Sequence, residues 1–161
     1  GSFRVKADLR DEASPGWKFN EWELKGVPLR LEIGPRDLEK DQFTAVRRLD
    51  RRKIGVPRAG LASRVATLLE EIQKDMLEKG RAFLRENTRD AADYETFRRD
   101  LNEKGGFFRA RWCGKAECEK RIKDETKATI RCIPLGGSRE DGTCLRRDGA
   151  SQHLVYLARA Y

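Results

Sequence analysis

The sequence has few of the side chains on which most enzyme active sites depend. Its 161 residues include a single histidine, His153, and this residue lies in a predicted strand with no serine or cysteine nucleophile at a characteristic spacing. The glycine pairs Gly105-Gly106 and Gly136-Gly137 stand alone and suit a helix stop and a turn better than a phosphate-binding loop. We therefore expect that this chain by itself catalyses no reaction.

Long apolar runs are also missing. No segment approaches the roughly 20 apolar residues that cross a bilayer, and no signal peptide pattern opens the chain. The four cysteines all fall in the last third, and without an export signal such clustering favours metal binding or buried thiols over disulfides. These absences predict a soluble, cytoplasmic protein that makes no membrane contact.

Positive charge, by contrast, is in excess. The chain carries 35 lysines and arginines against 27 acidic residues, a net charge of +8 that favours polyanionic partners such as nucleic acid, although many basic proteins bind none. One run, between residues 47 and 58, has only Asp50 in opposition. Its cations are Arg47, Arg48, Arg51, Arg52, Lys53 and Arg58. The run predicts either a solvated loop, which the pattern alone slightly favours, or an edge that contacts phosphates.

The hydrophobic periodicity alternates between strand and helix along the whole chain. Strands are predicted at 3–7, 27–33, 43–48, 108–113, 129–133 and 153–161. Helices are predicted at 17–25, from 61 to 83, from Asp93 as N-cap to Gly105-Gly106, and at 117–125. This interleaving predicts an α/β or α+β fold.

The segment from Trp17 to Asp37 places charged side chains on a stiff frame. Glu23 and Arg30 flank a predicted helix-to-strand turn, and Arg36 follows the strand through the rigid Gly34-Pro35. An unpaired guanine presents N–H donors to a carboxylate and the acceptors O6 and N7 to a guanidinium. A Glu/Arg pair therefore suits guanine, whereas the alternative is an ordinary surface ion pair that contributes little.

Two independent segments carry a family resemblance. Residues 16–37, GWKFNEWELKGVPLRLEIGPRD, resemble the anticodon-binding domain of prolyl-tRNA synthetases of the archaeal/eukaryotic type. Residues 105–135, GGFFRARWCGKAECEKRIKDETKATIRCIPL, and the terminal LARAY resemble the C-terminal extension of that family. The resemblance implies a mixed-sheet class IIa anticodon-binding domain at 3–58 without its first strand and helix, linking helices at 59–104, and a small zinc-type α/β domain at 105–161.

The resemblance also implies an activity and partners. The family is a class II ligase that attaches proline to its tRNA with ATP and magnesium, in a catalytic core that this segment does not include. The implied partners are the anticodon loop of proline tRNA, the catalytic core of the same enzyme, and a second copy in a homodimer. Two other functions stay open: a generic basic RNA-binding module, and a small structural or thiol-redox domain that uses Cys113 and Cys118.

Carried over by position, the contacts of the family to two adjacent guanines of the proline anticodon fall on Glu23, Arg30, Arg36 and Lys53. The last residue, Tyr161, corresponds to a terminal tyrosine whose carboxylate supports the active site of the full enzyme. The alternative for Tyr161 is the plain end of a core strand.

The family's four-thiolate zinc site is only partly present. Three of its ligands correspond to Cys113, Cys118 and Cys144. The fourth position is Arg147, which cannot bind zinc because its guanidinium stays protonated. Weaker substitutes are Cys132, Asp148 and His153. A closed structural site needs four ligands, so the sequence favours loss of the metal over its retention.

Overall fold

The computed structural model describes residues 3–136, 142–146 and 149–160. The chain divides into two compact units, Gly1–Gly80 and Arg81–Tyr161, each built around its own sheet. Helices and strands interleave in both units, which confirms the expected α/β class. Within the described ranges, none of the helices combines the length and the apolar character that crossing a bilayer requires.

The first unit is a three-stranded antiparallel sheet with helices on its two faces. Its elements in chain order are α1 (Pro15–Leu24), β1 (Leu29–Glu32), α2 (Pro35–Glu39), β2 (Gln42–Arg47), β3 (Lys53–Pro57) and α3 (Leu61–Glu86), of which residues 81–86 already belong to the second unit. The strands follow one another in the order β1-β2-β3, and Arg30, Val46 and Lys53 lie opposite one another across them. The sheet thus places Lys53, from the basic run of residues 47–58, on the same side as Arg30, which follows the helix-to-strand turn.

Alternation along the strands gives this sheet two different faces. The apolar face contains Ala45 and Val56, which pack with Leu68 of α3 into a small core. Directly opposed residues share a face, so Arg30, Lys53 and the next pair, Glu32 and Thr44, lie together on the other, polar face. We call this the polar face of the first sheet.

Helix α1 begins at Pro15, two residues before the predicted start. The Ser14 hydroxyl accepts from the backbone N–H of Trp17 at 3.4 Å, and proline suits the first turn because its missing N–H costs nothing there. Gly26, with φ +85°, follows the C-terminal Lys25 as predicted from the sequence.

Two predictions for the first unit were wrong, and one short helix was not predicted. Residues 3–7 form no strand, and Val5 is 83% exposed, because alternation alone does not supply a neighbouring strand to pair with. The supposed loop between residues 47 and 58 contains β3, and Gly34-Pro35 opens the short helix α2. The segment before α1 is held instead by the Trp22 indole, which donates to Asp8 at 2.8 Å.

The second unit contains a four-stranded mixed sheet. Its elements are β4 (Thr88–Asp90), α4 (Tyr94–Glu103), β5 (Phe107–Trp112), α5 (Ala116–Thr126), β6 (Ala128–Cys132) and β7 (His153–Arg159). The strand order is β4-β5-β7-β6, with β4 parallel to β5 and the other pairs antiparallel. Strand β4 was not predicted, since three residues give too short a pattern.

The core of the second unit lies between this sheet and its helices. Phe97 of α4 packs edge to face on Phe108 of β5, with ring centroids 5.2 Å apart. The predicted N-cap is confirmed, because the Asp93 carboxylate accepts from the Thr96 backbone N–H at 2.8 Å. The predicted domain bounds 3–58, 59–104 and 105–161 stay a prediction.

Candidate nucleic-acid interface and thiol cluster

Glu23 and Arg30, which the sequence singles out for guanine recognition, lie in direct contact. Helix α1 carries Glu23 near its C-terminal end, β1 carries Arg30, and the Arg30 Nη1 donates to Glu23 Oε1 at 3.0 Å. Their side chains are 19% and 20% exposed, so both reach the surface but neither moves freely. The structure brings the two together on the polar face of the first sheet.

Arg30 is fixed on more than one side. Its guanidinium carbon lies 4.0 Å from the centre of the Phe19 ring, and its Nε donates to Glu32 Oε1 at 2.9 Å. Glu32 shares the face because it follows Arg30 at the two-residue period of a strand. A guanidinium that is held by an aromatic ring and two carboxylates is preorganised, and little conformational entropy is lost when it binds a ligand.

Two exposed cations flank this centre. Arg51 Nη2 donates to Glu23 Oε2 at 3.2 Å, and Lys53 Nζ lies 3.7 Å from Glu32 Oε2. Their side chains are 76% and 67% exposed. We call Glu23, Arg30, Glu32, Arg51 and Lys53 the charged cluster.

The charge state of Glu23 follows from its neighbours. The hydrogen bond from Arg30 is the main reason why the pKa of the Glu23 carboxyl lies below its ordinary value, and burial opposes this shift. Glu23 is therefore ionised at neutral pH, when a carboxylate only accepts hydrogen bonds. It can accept from a ligand that presents N–H groups.

Arg36 lies apart from the charged cluster. It is exposed on α2, and no hydrogen bond or ion pair joins it to Glu23 or Arg30 within residues 3–136. Helix α2 is nevertheless tied to the polar face, because the Thr44 hydroxyl donates to the Asp37 carboxylate at 2.9 Å. Arg36 thus lies on a helix that is fixed to the polar face close to Glu32.

The basic run from residue 47 to 58 is divided by the sheet. Arg47 is only 5% exposed and pairs with Asp75 of α3, with Asp50 3.4 Å from its Nε. It lies on the apolar face, opposite Leu29, and holds the helix instead of facing solvent. Arg51, Arg52, Lys53 and Arg58 remain exposed, so only part of the run is accessible to a polyanion.

Sequence reasoning missed three members of this surface. Glu32 could have been found, because the pattern Arg30-x-Glu32 puts both side chains on one face of any strand. Phe19 could not, since its place under Arg30 depends on how α1 crosses the sheet. Arg51 was noticed only as part of the basic run; its φ of +57° in the β2–β3 turn directs it towards Glu23.

Three of the four cysteines form a buried cluster in the second unit. Cys113 follows β5, Cys118 lies in the first turn of α5, and Cys144 lies in the segment before β7. All three are at most 3% exposed, and their sulfur atoms lie within 4.8 Å of one another. The sulfur atoms of Cys118 and Cys144 lie 3.4 Å apart.

The thiol cluster fits a metal ion only in part. Three sulfur ligands at this spacing could hold zinc, but a closed structural site needs a fourth ligand. Cys132 is exposed at the end of β6 and is not a member of the cluster. His153 lies in β7 against the Trp112 ring and is not a member either.

Burial also sets the reactivity of the cluster. It is the main reason why the pKa of the Cys118 thiol lies far above its ordinary value, and the neighbouring Cys144 adds to the shift. A thiol that stays protonated is a poor nucleophile, because the thiolate is the reactive form. This environment weakens the thiol-redox alternative.

Three predicted positions lie outside the described residues. They are Arg147, Asp148 and Tyr161. Their roles at the zinc site and at the chain terminus stay predictions from the sequence.

Known proteins resemble the chain along nearly its whole length. Residues 1–68 match the family model described as "Anticodon binding domain", and residues 94–161 match "Prolyl-tRNA synthetase, C-terminal". The proline–tRNA ligase of Natranaerobius thermophilus is 47% identical over 99% of this chain and 33% of its own length. That of Rubrobacter xylanophilus is 50% identical over 98% and 33%, and that of Cytophaga hutchinsonii 48% over 98% and 32%. The chain therefore spans about a third of the length of the curated relatives it matches.

Proposed function

The chain belongs to the prolyl-tRNA synthetase family, and we propose that it recognises the anticodon loop of proline tRNA within a proline–tRNA ligase. The single observation that carries this proposal is the contact between Glu23 and Arg30. An acceptor and a donor, both partly exposed and both fixed by neighbours, stand side by side on the polar face. That arrangement complements the edges of an unpaired guanine.

Recognition divides into two kinds of contact. Glu23 accepts from the N1–H and N2–H groups of a guanine, and Arg30 donates to O6 or N7 of a guanine. Lys53 and Arg36, which are exposed and positively charged, contact phosphates or the second guanine of the anticodon. The carboxylate supplies specificity because an RNA without N–H donors at that place leaves it desolvated and unpaired.

The rest of the enzyme is also part of the proposal. A catalytic core elsewhere in the polypeptide attaches proline to its tRNA with ATP and magnesium, and this chain supports that core in a cytoplasmic homodimer. The Tyr161 carboxylate assists the active site from the C-terminus. Deleting Tyr161 from a full-length enzyme should slow proline activation more than it lowers the melting temperature, whereas a loss of stability alone would favour a structural role.

We infer that the second unit has lost the family's zinc. The described thiols provide three ligands, and the fourth family position is an arginine in this sequence. The unit has an apolar core that includes Phe97, Phe108 and Ile122, so packing replaces the metal as the main support of the thiol segment.

A binding titration tests the proposed function. The chain is titrated against the anticodon stem-loop of proline tRNA and against a matched stem-loop in which other bases replace the two guanines, at one fixed salt concentration. We expect clearly tighter binding to the first RNA. Equal affinity for both would indicate a generic basic RNA-binding module, and rapid thiol labelling without RNA affinity would indicate a thiol domain.

A substitution then tests the role of Glu23. Glu23→Ala should weaken binding to the guanine-containing stem-loop by about 10-fold or more and change binding to the matched stem-loop little. Glu21→Ala is the control, because Glu21 lies on the same helix with a side chain 20% exposed but pairs with Arg10 and Lys25. Equal loss for both RNAs would show that Glu23 does not contact bases.

A further inference from the structure

Glu32 is the one member of the charged cluster to which neither the basic run nor the contacts carried over from the family assign a role. We propose that Glu32 is a second specificity-determining carboxylate, which accepts from one of two adjacent guanines while Glu23 accepts from the other. This inference rests on the proposed function. It follows from the symmetry of the contacts around Arg30.

The first step concerns Arg30, which is shared equally by two carboxylates. Its Nη1 donates to Glu23 Oε1 at 3.0 Å, and its Nε donates to Glu32 Oε1 at 2.9 Å. The two acids are also exposed to the same degree, 19% and 21%. Glu23 and Glu32 therefore have equivalent places on either side of one guanidinium.

The second step concerns the remaining oxygen of each carboxylate. Glu23 Oε2 is covered by Arg51 and Glu32 Oε2 by Lys53, and both cations extend into solvent. Phosphates compete well for such exposed cations, because a flexible side chain gives up little when it changes partner. When RNA arrives, Arg51 and Lys53 move to the backbone and release one oxygen on each acid.

The third step concerns how readily Glu32 is released. Lys53 Nζ lies 3.7 Å from Glu32 Oε2, beyond hydrogen-bond range, whereas Arg51 donates to Glu23 at 3.2 Å. The cross-strand neighbour of Glu32 is Thr44, a small residue whose hydroxyl donates to Asp37 and does not compete for Glu32. Glu32 therefore has an acceptor that is easily freed, beside a side chain too small to shield it.

A purely structural Glu32 would behave differently. It would serve only to orient Arg30, so its loss would affect whichever base Arg30 and Glu23 contact. A base-recognising Glu32 affects the other guanine. The two roles can be distinguished by determining which of the two guanines each carboxylate contacts.

Inosine provides that test, because it lacks the 2-amino group of guanine and keeps N1–H, O6 and N7. The binding of the 161-residue chain is measured with three stem-loops, one with both guanines and one with inosine at each position in turn. Each RNA is titrated against the wild type, Glu23→Ala, Glu32→Ala and the control Glu21→Ala. We expect the wild type and the control to lose about tenfold in affinity at each inosine position.

In Glu32→Ala the penalty at one inosine position should fall to less than about twofold and the penalty at the other should persist; Glu23→Ala should show the reverse. Glu32→Gln keeps one acceptor oxygen for Arg30 and should recover only part of the discrimination, because its other group is an NH2, which donates and cannot accept from the guanine. If circular dichroism shows that Glu32→Ala is unfolded, Glu32→Gln replaces it in the comparison.

Three results would overturn the inference. The penalty could vanish at the same position in both alanine variants, Glu32→Ala could weaken all three RNAs alike, or Glu32→Gln could restore full discrimination. In each case the wild type still prefers guanine, so the proposed function survives. If the wild type itself does not distinguish the three RNAs, neither carboxylate accepts from a 2-amino group and the inference about Glu32 is wrong. The proposed function is then decided separately, by the stem-loop in which other bases replace the two guanines.

Discussion

The ion pair of Arg47 has one buried and one exposed partner, so we expect substitution of the two partners to change stability by unequal amounts. Arg47 is 5% exposed, whereas its carboxylate partner Asp75 is 48% exposed. Asp75→Asn leaves a covered positive charge with two weaker partners, Asp50 at 3.4 Å and Glu71 at 4.0 Å. Arg47→Met instead leaves exposed acids that water solvates, and it places an apolar side chain on the face of the sheet that also contains Ala45.

The magnitudes follow from burial. Breaking a fully buried pair costs about 3–5 kcal/mol and an exposed pair about 0–1 kcal/mol. With one covered and one exposed member, Asp75→Asn should lower the stability of the first unit by about 1–2 kcal/mol. Arg47→Met should cost less, about 0.5 kcal/mol. The covered Nε of Arg47 makes no hydrogen bond among the described residues, so removing this atom breaks no hydrogen bond.

Hydrogen exchange measured by mass spectrometry on peptides from β2 and α3 reports on the stability of the first unit alone. Thermal unfolding gives the size of the change as a shift in Tm. For a unit of about 80 residues, 1–2 kcal/mol corresponds to roughly 4–16 °C in Tm. Glu70→Gln, an exposed acid of the same helix, is the control and should change little. A cost of Arg47→Met equal to or above that of Asp75→Asn would refute the reasoning. RNA affinity should be unchanged in both variants, because Arg47 lies on the face away from the charged cluster.

Three further predictions concern charge, pH and metal. Lys53→Ala should weaken all RNAs alike and reduce the slope of log K against log salt by about 0.7, the value for one phosphate contact on a single strand; a base-dependent loss would contradict this. Hydrogen bonds from Thr96 lower the pKa of Asp93, so its cap stabilises the second unit above about pH 4 and is lost as the pH falls through that lowered value. Asp93→Asn should therefore reduce the acid sensitivity of thermal unfolding, and an unchanged pH profile would count against it. Elemental analysis of the purified protein should give well under one zinc per chain, and one zinc per chain would show that the metal is retained.

The sequence was informative where a pattern is local. The Asp93 cap, the stop at Gly105-Gly106 and the 26-residue helix α3 follow from side chains close to one another along the chain. The first contact of the charged cluster, between Glu23 and Arg30, was also within reach, because a short turn joins α1 to β1.

Features that depend on packing could not be predicted. Nothing near residue 3 indicates that the alternating segment 3–7 remains unpaired, because pairing is a property of the neighbour. The basic run gives no sign that Arg47 is buried while Lys53 is exposed, since that difference arises from the register of β2 against β3. The convergence of Cys113, Cys118 and Cys144 was suggested only by the family's spacing.

The unequal exposure of the cysteines allows one thiol to be labelled selectively. Since Cys132 alone among the four thiols is accessible, a maleimide dye should attach at one place on the folded chain and at four places in denaturant. The wild-type sequence can thus carry a single fluorophore without any engineered substitution, and the rate at which the other three sulfurs become modified would time the opening of the second unit.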